Sequence, residues 1–188
     1  MRRLWILLPL MLIAGLAIVW FSGNQIGCSK IKDAKGIGDC YVKQIDIPFD
    51  EDANGALMVA MSVDDRPRTI AMVDTGAFGV AINDNPTTDE LKDSQEVEVT
   101  GATCGAIKEP MADTAVCVAL TKTTDLCQVS QTIFGGEHSL PLLGQSFLNE
   151  FKTMVIDRDN QVIHLSGRTS DKPIFIGING ELYRLHFN

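Results

Sequence analysis

Aromatic residues are scarce in this 188-residue chain, at 6 % of positions, and no run of Lys or Arg follows Arg2-Arg3. The first shortage removes the platform on which nucleic-acid bases stack. The second, with a formal net charge of −8, sets the chain against a phosphate backbone, so no nucleic-acid partner is expected. There is no Gly-Lys-Ser/Thr phosphate loop. Cys-x-x-Cys spacing is also missing, and His138, His164 and His186 stand far apart, so neither a metal site nor a cofactor is expected. Proline occupies only seven positions and apolar residues 45 %, which excludes a disordered chain. The length suits one domain with one modest core.

What is present begins at the N-terminus. Arg2-Arg3 precede an uncharged run from Leu4 to Phe21. As a helix this run would measure roughly 27 Å, near the roughly 30 Å hydrocarbon core of a bilayer. A cleaved signal peptide has a shorter apolar region, and Trp20-Phe21-Ser22-Gly23 lacks the small residues of a cleavage site. The expectation is a single-pass anchor in the inner membrane, residues 1–21, spanning through 4–21, with a polar linker over 22–40. The two arginines place the N-terminus in the cytoplasm and the body, which carries fourteen basic against twenty-four acidic residues, in the periplasm.

All five cysteines follow the apolar run, as suits an oxidising compartment. Cys28 and Cys40 bracket a short polar loop that a disulfide could close. Cys104, Cys117 and Cys127 form a second group with room for one pair, and the odd count leaves one thiol over.

From Tyr41 onward the body reads as strands. Tyr41–Phe49 alternates apolar and polar residues, and Ala56–Val63, Thr69–Val73 and Gly79–Ile82 follow across turn clusters. Glu96–Thr100, Ala115–Leu120 and Val129–Phe134 extend the pattern. Two hairpins close the chain, Lys152–Leu165 and Ile174–Phe187, the second turning on Asn179-Gly180. Only Gln145–Phe151 has the spacing of a helix of any consequence. The fold class expected is all-β with one short helix.

The chemistry centres on Asp74-Thr75-Gly76-Ala77, a carboxylate set on a tight loop between two apolar strands. Asp and Gly also end strands for ordinary turn reasons. A single carboxylate there is of limited use, but two about 3 Å apart share one proton. The ionised member can take a proton from water while its protonated partner polarises a peptide carbonyl. The chain holds one Asp-Thr-Gly, so a dyad requires a homodimer with Asp74 from each copy. Gly144-Gln145-Ser146-Phe147-Leu148 looks like a serine-hydrolase elbow, but Leu148 stands where that sharp turn needs glycine.

The ordered set of Ile70–Ala77, a glycine-containing hairpin at Val97–Ile107, and Leu142-Leu143-Gly144-Gln145-Ser146-Phe147-Leu148 resembles the retropepsin-like aspartic proteases, in particular the small bacterial type with a single membrane span. The resemblance covers about Tyr41 to Leu165 and implies a closed β-barrel or sandwich for a domain over 41–188. It further implies that Asp74 is catalytic, that Thr75 and Gly76 brace and shape the loop, and that Ala77 with Gly101 and Ala102 of a flap meets a peptide or protein substrate. Leu142-Leu143-Gly144 would pack behind the loop. Cys104 would either tie to Cys117 or simply pack, and the tail over 168–188 would serve as a dimerisation hairpin or as a cap on its own subunit. A lone subunit that binds extended peptide by strand addition, or an envelope protein crosslinked through cysteines, are the non-enzymatic alternatives.

Overall fold

A computed structural model describes residues 17–21, 24–34, 36–100, 106–135 and 140–188. In chain order the strands are β1 (Ala17–Phe21), β2 (Asn24–Lys32), β3 (Gly38–Val42), β4 (Gln44–Pro48), β5 (Asp50–Glu51), β6 (Leu57–Val63), β7 (Thr69–Val73) and β8 (Val80–Ile82). After helix α1 (Thr88–Lys92) come β9 (Gln95–Thr100), β10 (Ala106–Ala119), β11 (Thr124–Phe134) and β12 (Leu142–Leu143). Helix α2 (Gln145–Leu148) precedes β13 (Thr153–Asp157), β14 (Val162–Ser166), β15 (Ile174–Ile178) and β16 (Glu181–Phe187).

The centre is a closed ring. β11 pairs with β8, β8 with β12, β12 with β7, β7 with β6, β6 with β10, and β10 returns to β11. Closure removes the free edges that an open sheet would expose. Strict alternation explains the inward faces: Leu57, Val59, Met61 and Val63 of β6 are buried, with their even-numbered neighbours less so. A second sheet, β13-β14-β4, lays Ile45, Ile47, Ile163 and Leu165 against the same core. A smaller apolar cluster of Ala81, Met111 and Ile133, flanked by Val97, Val99 and Leu142, lies apart from the main core.

Several expectations change. Tyr41–Phe49 is two strands in different sheets, β3 and β4, parted by a bend at Lys43. The stretch 22–40, expected as a linker, contributes β2 and the first part of β3, which pair antiparallel. Ala17–Phe21, the end of the expected membrane helix, is strand β1 paired with β2, while residues 1–16 of that expectation lie outside the described residues. Among the described residues no helix is long and apolar enough to cross a membrane. The tail hairpin engages both of its edges within the chain, β15 on β11 and β16 on β3, so it offers no free strand edge to a second copy.

Two disulfides staple antiparallel neighbours. Cys28 joins Cys40 between β2 and β3. Cys117 joins Cys127, its partner directly across the β10–β11 ladder, with Cα atoms 4.1 Å apart. This register corrects the Cys104–Cys117 pairing: opposite positions bring Cβ atoms within bonding reach. Cys104 itself lies outside the described residues.

Candidate active site

Asp74 follows the last residue of β7, and β12 threads between β7 and β8 directly beside it. The Asp74 N–H donates to the Leu143 carbonyl at 3.1 Å, continuing the β7–β12 ladder past its end. The Gly76 N–H donates to Asp74 Oδ1 at 2.8 Å, and the Ala77 N–H to the Asp74 carbonyl at 3.2 Å. This turn fixes one carboxylate oxygen, while Oδ2 has no hydrogen-bond partner among the described residues. The Asp74 side chain is half-buried, with Thr75 and Gly76 exposed beside it.

The following segment bolts the loop from behind. Gln145 donates from its amide to the Thr75 carbonyl at 2.8 Å, and from its backbone to the Ala77 carbonyl at 2.8 Å. The Ser146 N–H donates to the Phe78 carbonyl at 2.9 Å. Ser146 Oγ donates to the Gln131 carbonyl at 2.9 Å and accepts from the Val80 N–H at 3.2 Å. That hydroxyl joins β8 and β11 to α2 and is a fastener rather than a nucleophile. Gly144 is required by proximity: a Cβ on it would meet the Gly79 carbonyl oxygen at 2.1 Å and that of Ala77 at 2.7 Å. The roles of Gln145 and Ser146 went unread in the sequence, where their only visible signal was the imperfect elbow pattern that excluded serine hydrolysis.

Asp74 lies in the wall of a cleft of about 650 Å³. Its apolar lining comes from Met72, Ala81, Ile133, Leu140 and Leu142 on the barrel side, with Val97 and Val99 of β9 across from them. Ala77 lines it too, as does Phe78, which is 63 % exposed. β9 and β10 pair antiparallel from Gln95↔Met111 to Thr100↔Ala106, making the expected hairpin over the cleft. Its connection holds Gly101 and Ala102, which lie outside the described residues. The structure therefore brings Asp74, Thr75, Gly76 and Ala77 together on one loop at a cleft large enough for several residues of peptide.

The base of that hairpin is anchored by charge. Arg66, in the turn between β6 and β7, donates to both carboxylate oxygens of Glu90 on α1 at 2.6 and 2.8 Å, and to Asp84 at 3.1 Å. Its guanidinium lies 5.2 Å from the ring centre of Phe134. Glu90 closes a capping box with Thr87 at the start of α1, and two residues, Asp93 and Ser94, join the end of α1 to β9. The Arg66 bonds pull the Glu90 carboxyl down to about 2, and the Arg66 guanidinium is pushed up in return. Asp64, partly buried and facing Glu90, is held above the usual carboxylate range by desolvation.

No family model matches the chain, and no curated protein matches it. Among solved structures the chain is similar to a retropepsin-like aspartic protease from Rickettsia conorii, with a TM-score of 0.44 and 20 % identity, over 71 % of this chain and 92 % of that one.

Proposed function

We propose that the protein is an aspartic endopeptidase that works as a homodimer, each copy lending one Asp74 to a shared pair. The observation that carries this reading is the Asp74 turn itself, with one carboxylate oxygen held by Gly76, the other without a hydrogen-bond partner among the described residues, and the whole loop locked to residues 143–146 beside an apolar cleft. Thr75, Gly76 and Phe78 are exposed on the single chain next to that carboxylate, as a face meant to be covered by a twin would be.

In the dimer the two carboxyl groups hold one proton between them. The ionised Asp74 accepts a proton from water as its oxygen attacks the scissile carbonyl carbon. The protonated Asp74 gives its proton to the carbonyl oxygen, forming a neutral gem-diol. As the diol collapses, the Asp74 that took the proton from water gives it to the departing nitrogen. The other Asp74 accepts a proton from a diol hydroxyl, so the carbon–nitrogen bond breaks and the pair keeps one proton throughout. The hairpin β9–β10, with Val97 and Val99 beneath it, screens the reaction from bulk water.

We extend the proposal to the membrane. The uncharged residues after Arg2-Arg3 support a membrane-directed segment with the body in the periplasm. Because β1 begins at Ala17, the part of the apolar run outside the described strands is Leu4 to Leu16. Confinement to one surface raises the effective concentration of two copies and favours their pairing.

The test compares full-length wild-type protein with Asp74→Asn in detergent, on an unstructured peptide library, across pH and protein concentration. Cleavage that rises faster than linearly with concentration, peaks on the acid side and disappears in Asp74→Asn is expected. Equal cleavage by both proteins rejects the mechanism.

A further inference from the structure

Among the described residues, the titratable side chains lining the Asp74 cleft are all carboxylates: Asp52, Asp74 and Glu98. No Lys, Arg or His of the described residues lines it. Asp52 is the best placed of the two not used in the proposed chemistry. It opens the turn between β5 and β6, and its Oδ1 accepts the backbone N–H groups of Asn54 and Ala56, each at 2.8 Å. This turn feeds β6, which pairs with β7, the strand that leads into Asp74. Asp52 and Asp74 line the same cleft. Arg158, which reaches this turn, is paired with Glu51 and donates to the Gly55 carbonyl at 3.5 Å, outside the cleft lining. Lys108 of β10 bonds Glu96 of β9 at 3.5 Å and leaves Glu98, which faces it across the ladder, without a salt bridge among the described residues.

We infer that Asp52 is a specificity-determining residue that selects peptides carrying a Lys or Arg side chain close to the apolar segment held in the cleft. The inference rests on the reading of this cleft as a peptide site. Apolar walls alone hold any greasy segment, whereas a fixed anion at one end discriminates by sign, because an acidic peptide meets only like charge there. Fixing matters as much as charge. Asp52 is held by its own turn, so no side-chain freedom is lost when a cation arrives. The same backbone bonds depress its carboxyl below the ordinary range, so it stays charged under the acid conditions in which an Asp74 pair works. The net charge of −8 adds long-range attraction of the same sign.

The experiment uses three peptides of one sequence with an apolar centre and Lys, Gln or Glu beside it, each fluorescently labelled. Binding to full-length Asp74→Asn is measured by anisotropy, and kcat/KM is measured with wild type. The Lys peptide is expected to win over the Gln peptide by about three- to fivefold, with the Glu peptide weakest. That ratio should shrink between about 0.02 M and about 0.5 M salt. Asp52→Asn keeps an oxygen for the turn and removes only the charge, and it should bring the Lys-to-Gln ratio close to one. A ratio near one in the protein with Asp52 intact, or a ratio that Asp52→Asn leaves unchanged, overturns the inference. Absence of turnover in wild type with the binding preference intact would reject the proposed hydrolysis while leaving the role of Asp52 standing.

Discussion

Gly144 lies so close beneath Gly79 that a β-carbon on the first would stand 2.1 Å from the carbonyl oxygen of the second. Neither partner can yield, because the obstacle is backbone. Gly79 is itself hemmed in, since a Cβ there would sit 3.0 Å from the Gln131 carbonyl. Gly144→Ala should therefore lower stability by about 3 kcal/mol through overpacking and push the Asp74 loop off its support. Urea unfolding read by circular dichroism checks this; a loss under about 0.5 kcal/mol would mean the two segments are not in contact.

Ser146 and Asp74 should separate cleanly by phenotype. Ser146→Ala removes a donor to Gln131 and an acceptor for Val80, which costs about 1–3 kcal/mol of stability. Asp74→Asn keeps the turn oxygen that Gly76 bonds and should leave the unfolding midpoint almost unmoved while abolishing cleavage. Thermal melts run beside the peptidase assay distinguish them, and a Ser146→Ala protein that is stable but inactive would reinstate a serine nucleophile.

Stability should fall on the acid side through Glu90. Its carboxyl is depressed from 4.5 to about 2 in the folded chain, chiefly by Arg66. A depressed carboxylate contributes stability that is complete above its unfolded value and drains away as pH drops towards its folded one. The window is therefore between about 4.5 and about 2. Asp64, raised by desolvation, acts in the opposite sense and recovers part of the loss. Arg66→Met should flatten the Glu90 limb in that window, measured as unfolding free energy against pH, and a limb of unchanged slope would remove Arg66 as its cause.

Breaking the Cys117–Cys127 link tests the register of the β10–β11 hairpin. The bond closes a short loop, so a Cys117→Ser, Cys127→Ser protein should lose about 2–3 kcal/mol. Mass mapping of a non-reduced digest should find Cys117 with Cys127 and Cys28 with Cys40. A Cys104–Cys117 peptide would refute the pairing.

Strand content was readable wherever one face is buried and the other wet, as in β6 and in the Asn179-Gly180 hairpin of β15 and β16. The Asp74 loop was legible from the short apolar run that ends in Asp-Thr-Gly, whereas the packing of Leu142-Leu143-Gly144 behind it came only from the resemblance to a known family. Pairing was harder. Alternation in Tyr41–Phe49 runs through Lys43 without a break, yet the backbone bends there and sends β3 and β4 to different sheets. β2 hides because its polar residues look like a linker until Cys28 and Cys40 are seen to bind it to β3. The length of β10 and β11 escapes a local reading because much of β11 turns polar residues inward. Thr114 and Thr132 satisfy each other at 2.7 Å, and the Gln128 amide bonds the Phe147 carbonyl at 2.9 Å. Asp52 reads from sequence as a turn former alone, since nothing local shows that it lines the same cleft as Asp74.

The insertion of β12 between β7 and β8 has a consequence for the chain as it is made. Asp74 emerges from the ribosome about seventy residues ahead of Leu143, and its loop has nothing to lean on until that segment arrives. A nascent chain therefore carries the Asp-Thr-Gly triplet long before it carries a working arrangement of it. The loop is finished only when the chain has been made as far as Leu143 and the residues of α2 that hold it. In this architecture the order of translation sets the moment at which the Asp74 turn gains its support.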